Sequence, residues 1–183
     1  MTPARSSLLS PYLKGLCRGW VRSFVVTDRV VRLLCWGAGL WFAAMVGFTV
    51  LVLEPLGLGE VLDRRIGGYG VADVQDYLAA MTPEGLKRLG QLQAMDTVFP
   101  PLLGIAFLGL MKRFQGVMRG LWLLPMIYCG LDWAENAAVA GLIGAQVLTA
   151  EAVAQASILT QTKYGVLFLA GLAALAARRR GLR

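Results

Sequence analysis

The sequence contains no histidine among its 183 residues. That single absence removes histidine-ligated haem, histidine-based zinc sites and histidine general bases together. Cysteine is scarce as well. Cys17, Cys35 and Cys129 are an odd set without C-x-x-C spacing, and two of them lie in apolar runs, so neither a disulfide framework nor a redox pair is expected. Charged residues make up only 16% of the chain against 57% apolar, and no polar stretch is long enough for a separate soluble domain. A cleavable signal peptide is not expected, because the first apolar run starts after residue 30 and lacks an A-x-A exit. No internal repeat stands out. Gly67-Gly68-Tyr69-Gly70 is a turn signal without the G-x-x-x-x-G-K-[ST] order of a phosphate loop.

What the chain does have is long apolar runs. Residues 33–53, 94–111, 121–145 and 156–177 each match the length of a membrane span, and the first is free of charge throughout. The spacing predicts an all-α integral membrane four-helix bundle over residues 33–177. Residues 1–32 form a cytoplasmic interfacial segment, 54–93 an outer loop, and 178–183 a basic tail. Pro100 and Pro101 remove two backbone donors from the second span and are expected to kink or restart it. In the outer loop, residues 71–81 have helical spacing, and Thr82-Pro83-Glu84 reads as a cap, a proline at the first helical position and an acid in the first turn. Two short helices lying over the mouth of the bundle are therefore expected.

The net charge of +7 suggests nucleic acid at first sight, but the bases cluster beside the apolar runs, which is the pattern of membrane topology. Six fall before the first run, three between the second and third, and four after the last, while the 54–93 loop holds four bases against six acids. Both termini are accordingly expected in the cytoplasm. Within the first segment Lys14, Arg18 and Arg22 recur every four residues, and Leu13, Leu16, Trp20 and Phe24 line an adjoining apolar face. This is an amphipathic helix suited to the headgroup layer, with Lys14, Arg18, Trp20 and Arg22 as its membrane contacts.

The third run carries the chemistry. Asp132, Glu135 and Asn136 stand at i, i+3 and i+4, so two carboxyl groups and an amide share one helix face. A charge near the bilayer centre costs at least about 2.5–3.5 kcal/mol, and such a residue must face protein, water or a partner charge. Measured from the cytoplasmic ends at about 1.5 Å per residue, Glu135 lies roughly 21 Å in, Asp96 roughly 22 Å and Lys163 roughly 21 Å, with Asp132 about a turn deeper. Asp96, Asp132, Glu135, Asn136 and Lys163 are thus expected to form one polar cluster, with Thr97, Tyr128, Thr160 and Gln161 completing its hydrogen bonds. Three acids face one base. Either a proton stays on one carboxyl, or Arg64 or Arg65 dips in from the outer loop. Gly130, Ala134, Ala138 and Gly141 form a separate stripe of small residues, expected to let neighbouring helices approach closely.

Three stretches together carry a resemblance: Leu78-Ala-Ala-Met-Thr-Pro-Glu-Gly85, Asp96-Thr-Val-Phe-Pro100 and Asp132-Trp-Ala-Glu-Asn136. Over roughly residues 30–177 the chain resembles a family of bacterial four-span membrane proteins that share a D-x-x-E-N signature on the third helix. The resemblance implies a bacterial inner membrane and supports the choice of site residues. It brings no activity with it.

Two functional classes fit these residues. The chain has no cofactor ligands and no soluble catalytic domain, while its apolar and small-residue surfaces suit docking. The expectation is a non-catalytic accessory subunit or assembly factor of a larger membrane complex, with the lipid bilayer and other membrane subunits as partners and no cofactor, metal or nucleic acid. The alternative is a small binding or transport module in which the acids take a cation, a proton or a lipid head group. A membrane enzyme using Asp132 and Glu135 as acid and base has no further motif to support it.

Overall fold

Thr27 opens the first helix: its backbone is extended, and its hydroxyl accepts from the Val30 amide, one of the donors that a helix start leaves free. Helix α1, Asp28–Phe48, then continues through a wide π turn, Thr49–Leu53, and a 3-10 turn, Glu54–Leu56. Gly57 ends this run at φ 78°, a left-handed conformation that glycine adopts without strain. The computed structural model describes residues 27–112, 114 and 116–180. The amphipathic segment with Lys14, Arg18, Trp20 and Arg22 lies outside the described residues, as do residues 181–183 of the tail.

A short 3-10 turn, Leu62–Arg64, leads to α2, Val71–Ala79, where the Gly70 amide donates to Asp73 Oδ2 at 2.7 Å. Helix α3, Pro83–Met111, follows, with the Thr82 hydroxyl accepting from the Gly85 amide. A 3-10 stretch, Gly116–Trp122, leads to α4, Leu123–Gly144, and α5, Ala150–Arg180, closes the chain. Among the described residues there is no strand. Three helical runs, Asp28–Leu56, Pro83–Met111 and Ala150–Arg179, are long and apolar enough to cross a membrane. Helix α4 is not one of these, since Asp132, Glu135 and Asn136 lower its hydropathy.

Two local expectations are corrected. The second loop helix does not exist by itself: the turn that Thr82 caps runs straight into the second apolar segment, because no residue between Glu84 and Ala94 stops it. Nor do the prolines restart the helix. Pro100 and Pro101 lie inside α3, and the carbonyl that Pro101 cannot bond is taken from outside: the Trp133 indole N–H of α4 donates to Thr97 O at 3.2 Å. Two residues before, Trp41 of α1 donates to Met95 O at 2.9 Å.

Helix α3 is the hub, packing against α1, α4 and α5, while α4 and α5 lie along each other. Successive long helices are antiparallel. Lys112 at the end of α3 pairs with Asp28 at the start of α1, and Asn136 of α4 reaches Asp96 of α3. Gly104 lets α3 approach α4, since a Cβ there would meet Cys129 Sγ at 2.9 Å. Gly109 does the same towards Val31 of α1, at 2.8 Å. The small stripe expected on α4 has no such role. A Cβ on Gly130 or Gly141 would meet nothing within 4 Å, and Gly130, Ala134 and Gly141 are exposed, because the inward face of α4 belongs to Tyr128, Asp132, Glu135 and Val139.

The loop after α1 is seated by its own apolar residues. Leu58, Val61 and Leu62 are almost fully buried against Leu89, Leu92, Val139 and Val153. It is also pinned to α5, where the Tyr69 amide donates to Ser157 Oγ at 2.9 Å and Gln161 Nε2 donates to Gly67 O at 3.2 Å. On the outer faces Leu33, Trp36 and Leu40 of α1 are 70%, 72% and 67% exposed, as suits contact with lipid.

Candidate functional site

The helical repeat brings Asp132, Glu135 and Asn136 to one face of α4, and the antiparallel partner α5 presents Lys163 to it. Lys163 Nζ lies 2.8 Å from Glu135 Oε2 and 3.2 Å from Asp132 Oδ1. The second Glu135 oxygen accepts from Thr160 Oγ1 at 2.6 Å. Asn136 Nδ2 bridges the two remaining acids, donating to Asp96 Oδ2 at 2.8 Å and to Asp132 Oδ2 at 3.3 Å. The five residues thus make one connected network across α3, α4 and α5, and Glu135, Asp132, Lys163 and Asp96 are all buried. Within it, Lys163 touches both α4 acids, whereas Asp96 joins through the amide of Asn136. Asp132, expected about a turn deeper than Glu135, is a direct partner of the lysine as well. The lysine side chain is long enough to lie between two acids one turn apart.

The surrounding residues divide differently from the sequence expectation. Thr160 belongs to the network. Gln161 holds the loop at Gly67, and the Thr97 hydroxyl bonds back to Gln93 O on the exposed side of α3. Tyr128 is buried beside Asp132. Of the two loop arginines, Arg65 turns to Asp73, at 3.5 Å, and to Glu60 O. Arg64 lines the same cavity as the cluster.

The loop delivers an acid together with that arginine. Asp63, the residue before Arg64, enters beside Lys163, and its Oδ1 is buried with no hydrogen-bond partner in the described structure. Burial pushes its carboxyl up from 3.8 to about 7; Lys163 opposes the rise, while Glu135 and Asp96 add to it. Burial also raises the phenols of Tyr69 and Tyr77, and the charge of Asp63 adds to both shifts. Sequence reasoning missed Asp63 because a loop has no periodicity to assign a direction. The available signal was the apolar pair Val61-Leu62 directly before it in an otherwise polar stretch.

The cluster does not close on itself. Asp63, Asp96, Asp132 and Lys163 form one end of a cavity of about 620 Å³, and the rest of its wall is mainly apolar, with Ala38, Phe42 and Met45 of α1, Phe99, Leu103 and Phe107 of α3, and Leu167 of α5. Four carboxyl groups here face Lys163 and Arg64, so acceptors outnumber donors. No group of residues with metal-ligand geometry occurs among the described residues.

Fold and site together define a class: a helical protein with three apolar helices of membrane length and a buried acid–lysine cluster at the head of an apolar cavity. No family model, curated protein or solved structure matches the chain.

Proposed function

We propose that this is a non-catalytic integral membrane protein whose buried cluster is a binding centre for the polar end of a membrane component. In this reading all four long helices cross the bilayer as a four-helix bundle, α4 tolerating its acids because they face protein. Both termini are cytoplasmic, as the basic residues before α1, between α3 and α4 and after α5 favour. A bacterial inner membrane fits the resemblance carried by Asp132, Glu135 and Asn136.

The observation that supports binding over a mere clasp is the junction of cluster and cavity. A clasp would balance its charges and seal them; this cluster has surplus acceptors and opens into about 620 Å³ of largely apolar space. That volume is typical of small-molecule sites, roughly 300–1,000 Å³. It is far more than a single ion or water needs, at about 30 Å³ per water.

The test is retention. The protein, extracted from native membranes in lipid particles, is expected to hold a component at a fixed ratio by mass spectrometry. Glu135→Gln is expected to remain folded and to lose it. Equal retention by a folded Glu135→Gln variant refutes this function.

A second reading, as an accessory or assembly subunit of a larger membrane complex, is favoured by one observation. Gly130, Ala134 and Gly141 present an exposed small-residue stripe on α4, the kind of surface that lets another helix approach closely. Co-migration with a complex on native gels, abolished by Gly141→Leu, is its test.

A further inference from the structure

We infer that the cavity admits, from the side, one apolar chain of a membrane amphiphile whose polar end is a cation. The inference rests on the binding reading above and adds to it the ligand's class and its route of entry. Three observations carry it.

The first is shape. The lining runs from Leu92 to Phe107 on α3, roughly 22 Å at 1.5 Å per residue, and from Thr49 to Cys35 on α1, roughly 21 Å. A polar head and an extended chain fit such a slot; a free ion or a compact solute would leave most of its apolar wall without contact.

The second is access. Helix α1 packs on α3, and α5 packs on α3 and α4, but α1 and α5 do not lie along each other although both line the cavity. In the membrane arrangement proposed above, the space between them faces the bilayer. Gly39 and Phe42 on the α1 side are exposed, so a chain already dissolved in lipid reaches the cavity without crossing water.

The third is charge. Lys163 is already engaged by Glu135 and Asp132. What remains on the cavity wall is acceptor capacity: Asp63 Oδ1 is buried without a partner, and Asp96 receives a single hydrogen bond, from Asn136, whereas the other buried groups without partners, Arg65 Nε and the Tyr69 and Tyr77 hydroxyls, belong to residues that do not line the cavity. Buried acceptors call for a donor, and a surplus of carboxylates calls for positive charge. An anionic head would meet three acids on the cavity wall, Asp63, Asp96 and Asp132.

The natural Cys35 allows a direct experiment, because it lines the cavity and is free, whereas Cys129 is engaged with Pro100 O at 3.1 Å and lies off the cavity. The full-length protein in phosphatidylcholine nanodiscs is treated with N-ethylmaleimide, and modification at each cysteine is read by mass spectrometry. Hexadecylamine, hexadecanol and hexadecanoic acid are the added probes. Hexadecylamine is expected to protect Cys35 and leave Cys129 unchanged, at concentrations about tenfold below those at which the acid acts. Asp63→Asn is expected to raise the protecting concentration about tenfold, as loss of one charge-assisted contact does. Gly39→Leu, whose Cβ would meet nothing within 4 Å, is expected to place its side chain at the cavity wall, occlude the cavity and abolish the amine effect.

Protection by hexadecanoic acid equal to that by the amine overturns the charge assignment and leaves the binding reading standing. Protection that survives Gly39→Leu reflects partition into lipid and overturns the cavity route. Absence of protection by every probe overturns the inference as a whole, while retention of a native component and its loss in Glu135→Gln still decide the binding reading separately.

Discussion

Replacing Lys163 by Met removes the one cation that touches both α4 acids while keeping most of the side-chain volume. Lys163 is 4% exposed, Asp132 2% and Glu135 0%, so the carboxylates left behind cannot reach solvent without moving a helix. Truncating one partner of a strongly buried pair costs about 3–5 kcal/mol, most of it the penalty of the unpaired charge. Two acids share this lysine, at 2.8 and 3.2 Å, so the cost belongs at the upper part of that range, about 5 kcal/mol. The assay is reversible unfolding in mild detergent, wild type against variant. A double variant, Lys163→Met with Glu135→Gln, supplies the internal check. Removing the acid with the base deletes the uncompensated charge and is expected to recover about half of the loss, a coupling that independent sites would not show. If Lys163→Met costs less than about 1 kcal/mol, or if the double variant is as unstable as the sum of its parts, the buried ion pair does not organise this site.

Three further outcomes follow from the loop and the proline site. With no ligand bound, a carboxyl raised from 3.8 to about 7 is seated in its protonated form, and a bound cation would draw that proton off. The contribution of Asp63 to loop seating is therefore full below about pH 4 and lost as pH rises through about 7, on the order of 4 kcal/mol at about 1.36 kcal/mol per unit. The groups facing it are Arg64 and Tyr69 of the same loop, Tyr77 of α2, Asp96 of α3, Glu135 of α4 and Lys163 of α5. Melting curves of wild type and Asp63→Asn are expected to diverge between about pH 4 and pH 7, with the wild type losing ground; parallel curves contradict the assignment. Gly68→Ala places a Cβ at φ 85° against Gln161 Nε2 and Ser157 Oγ, and is expected to cost at least about 1–2 kcal/mol and to speed hydrogen exchange in the loop. Gly67→Ala, which meets nothing within 4 Å, is the neutral control. Trp133→Phe leaves Thr97 O without its indole donor and is expected to cost about 1 kcal/mol in the same unfolding assay, with no change where Trp133→Phe is combined with Pro101→Ala, since the restored amide satisfies that carbonyl.

Helix periodicity made much of this arrangement legible. Asp132, Glu135 and Asn136 share a face because of their spacing, and rise per residue alone brought Asp96 and Lys163 to the level of Glu135. The orientation of the small stripe was not legible, since Gly130 and Gly141 mark a face that helices can approach without showing that one does. Trp133 sat within the D-x-x-E-N stretch, yet its partner is 36 residues away in α3, a relation that only helix packing creates. Asp63 depends on two turns, the left-handed Gly57 and Gly68, that fold the loop inward and let Leu58, Val61 and Leu62 bury. The cavity belongs to no single segment: α1, α3 and α5 all line it, and α1 and α5 do not lie along each other.

The most direct measurement of the central claim is an experimental structure of the protein in native lipid particles, at a resolution that shows side chains. Ordered density is expected to fill the space between α1 and α5, with its polar end within hydrogen-bond distance of Asp63 and Asp96 and its chain running towards Cys35 and Phe107. Helices α1 and α5 closed against each other, with the acids satisfied by protein groups alone, would contradict it.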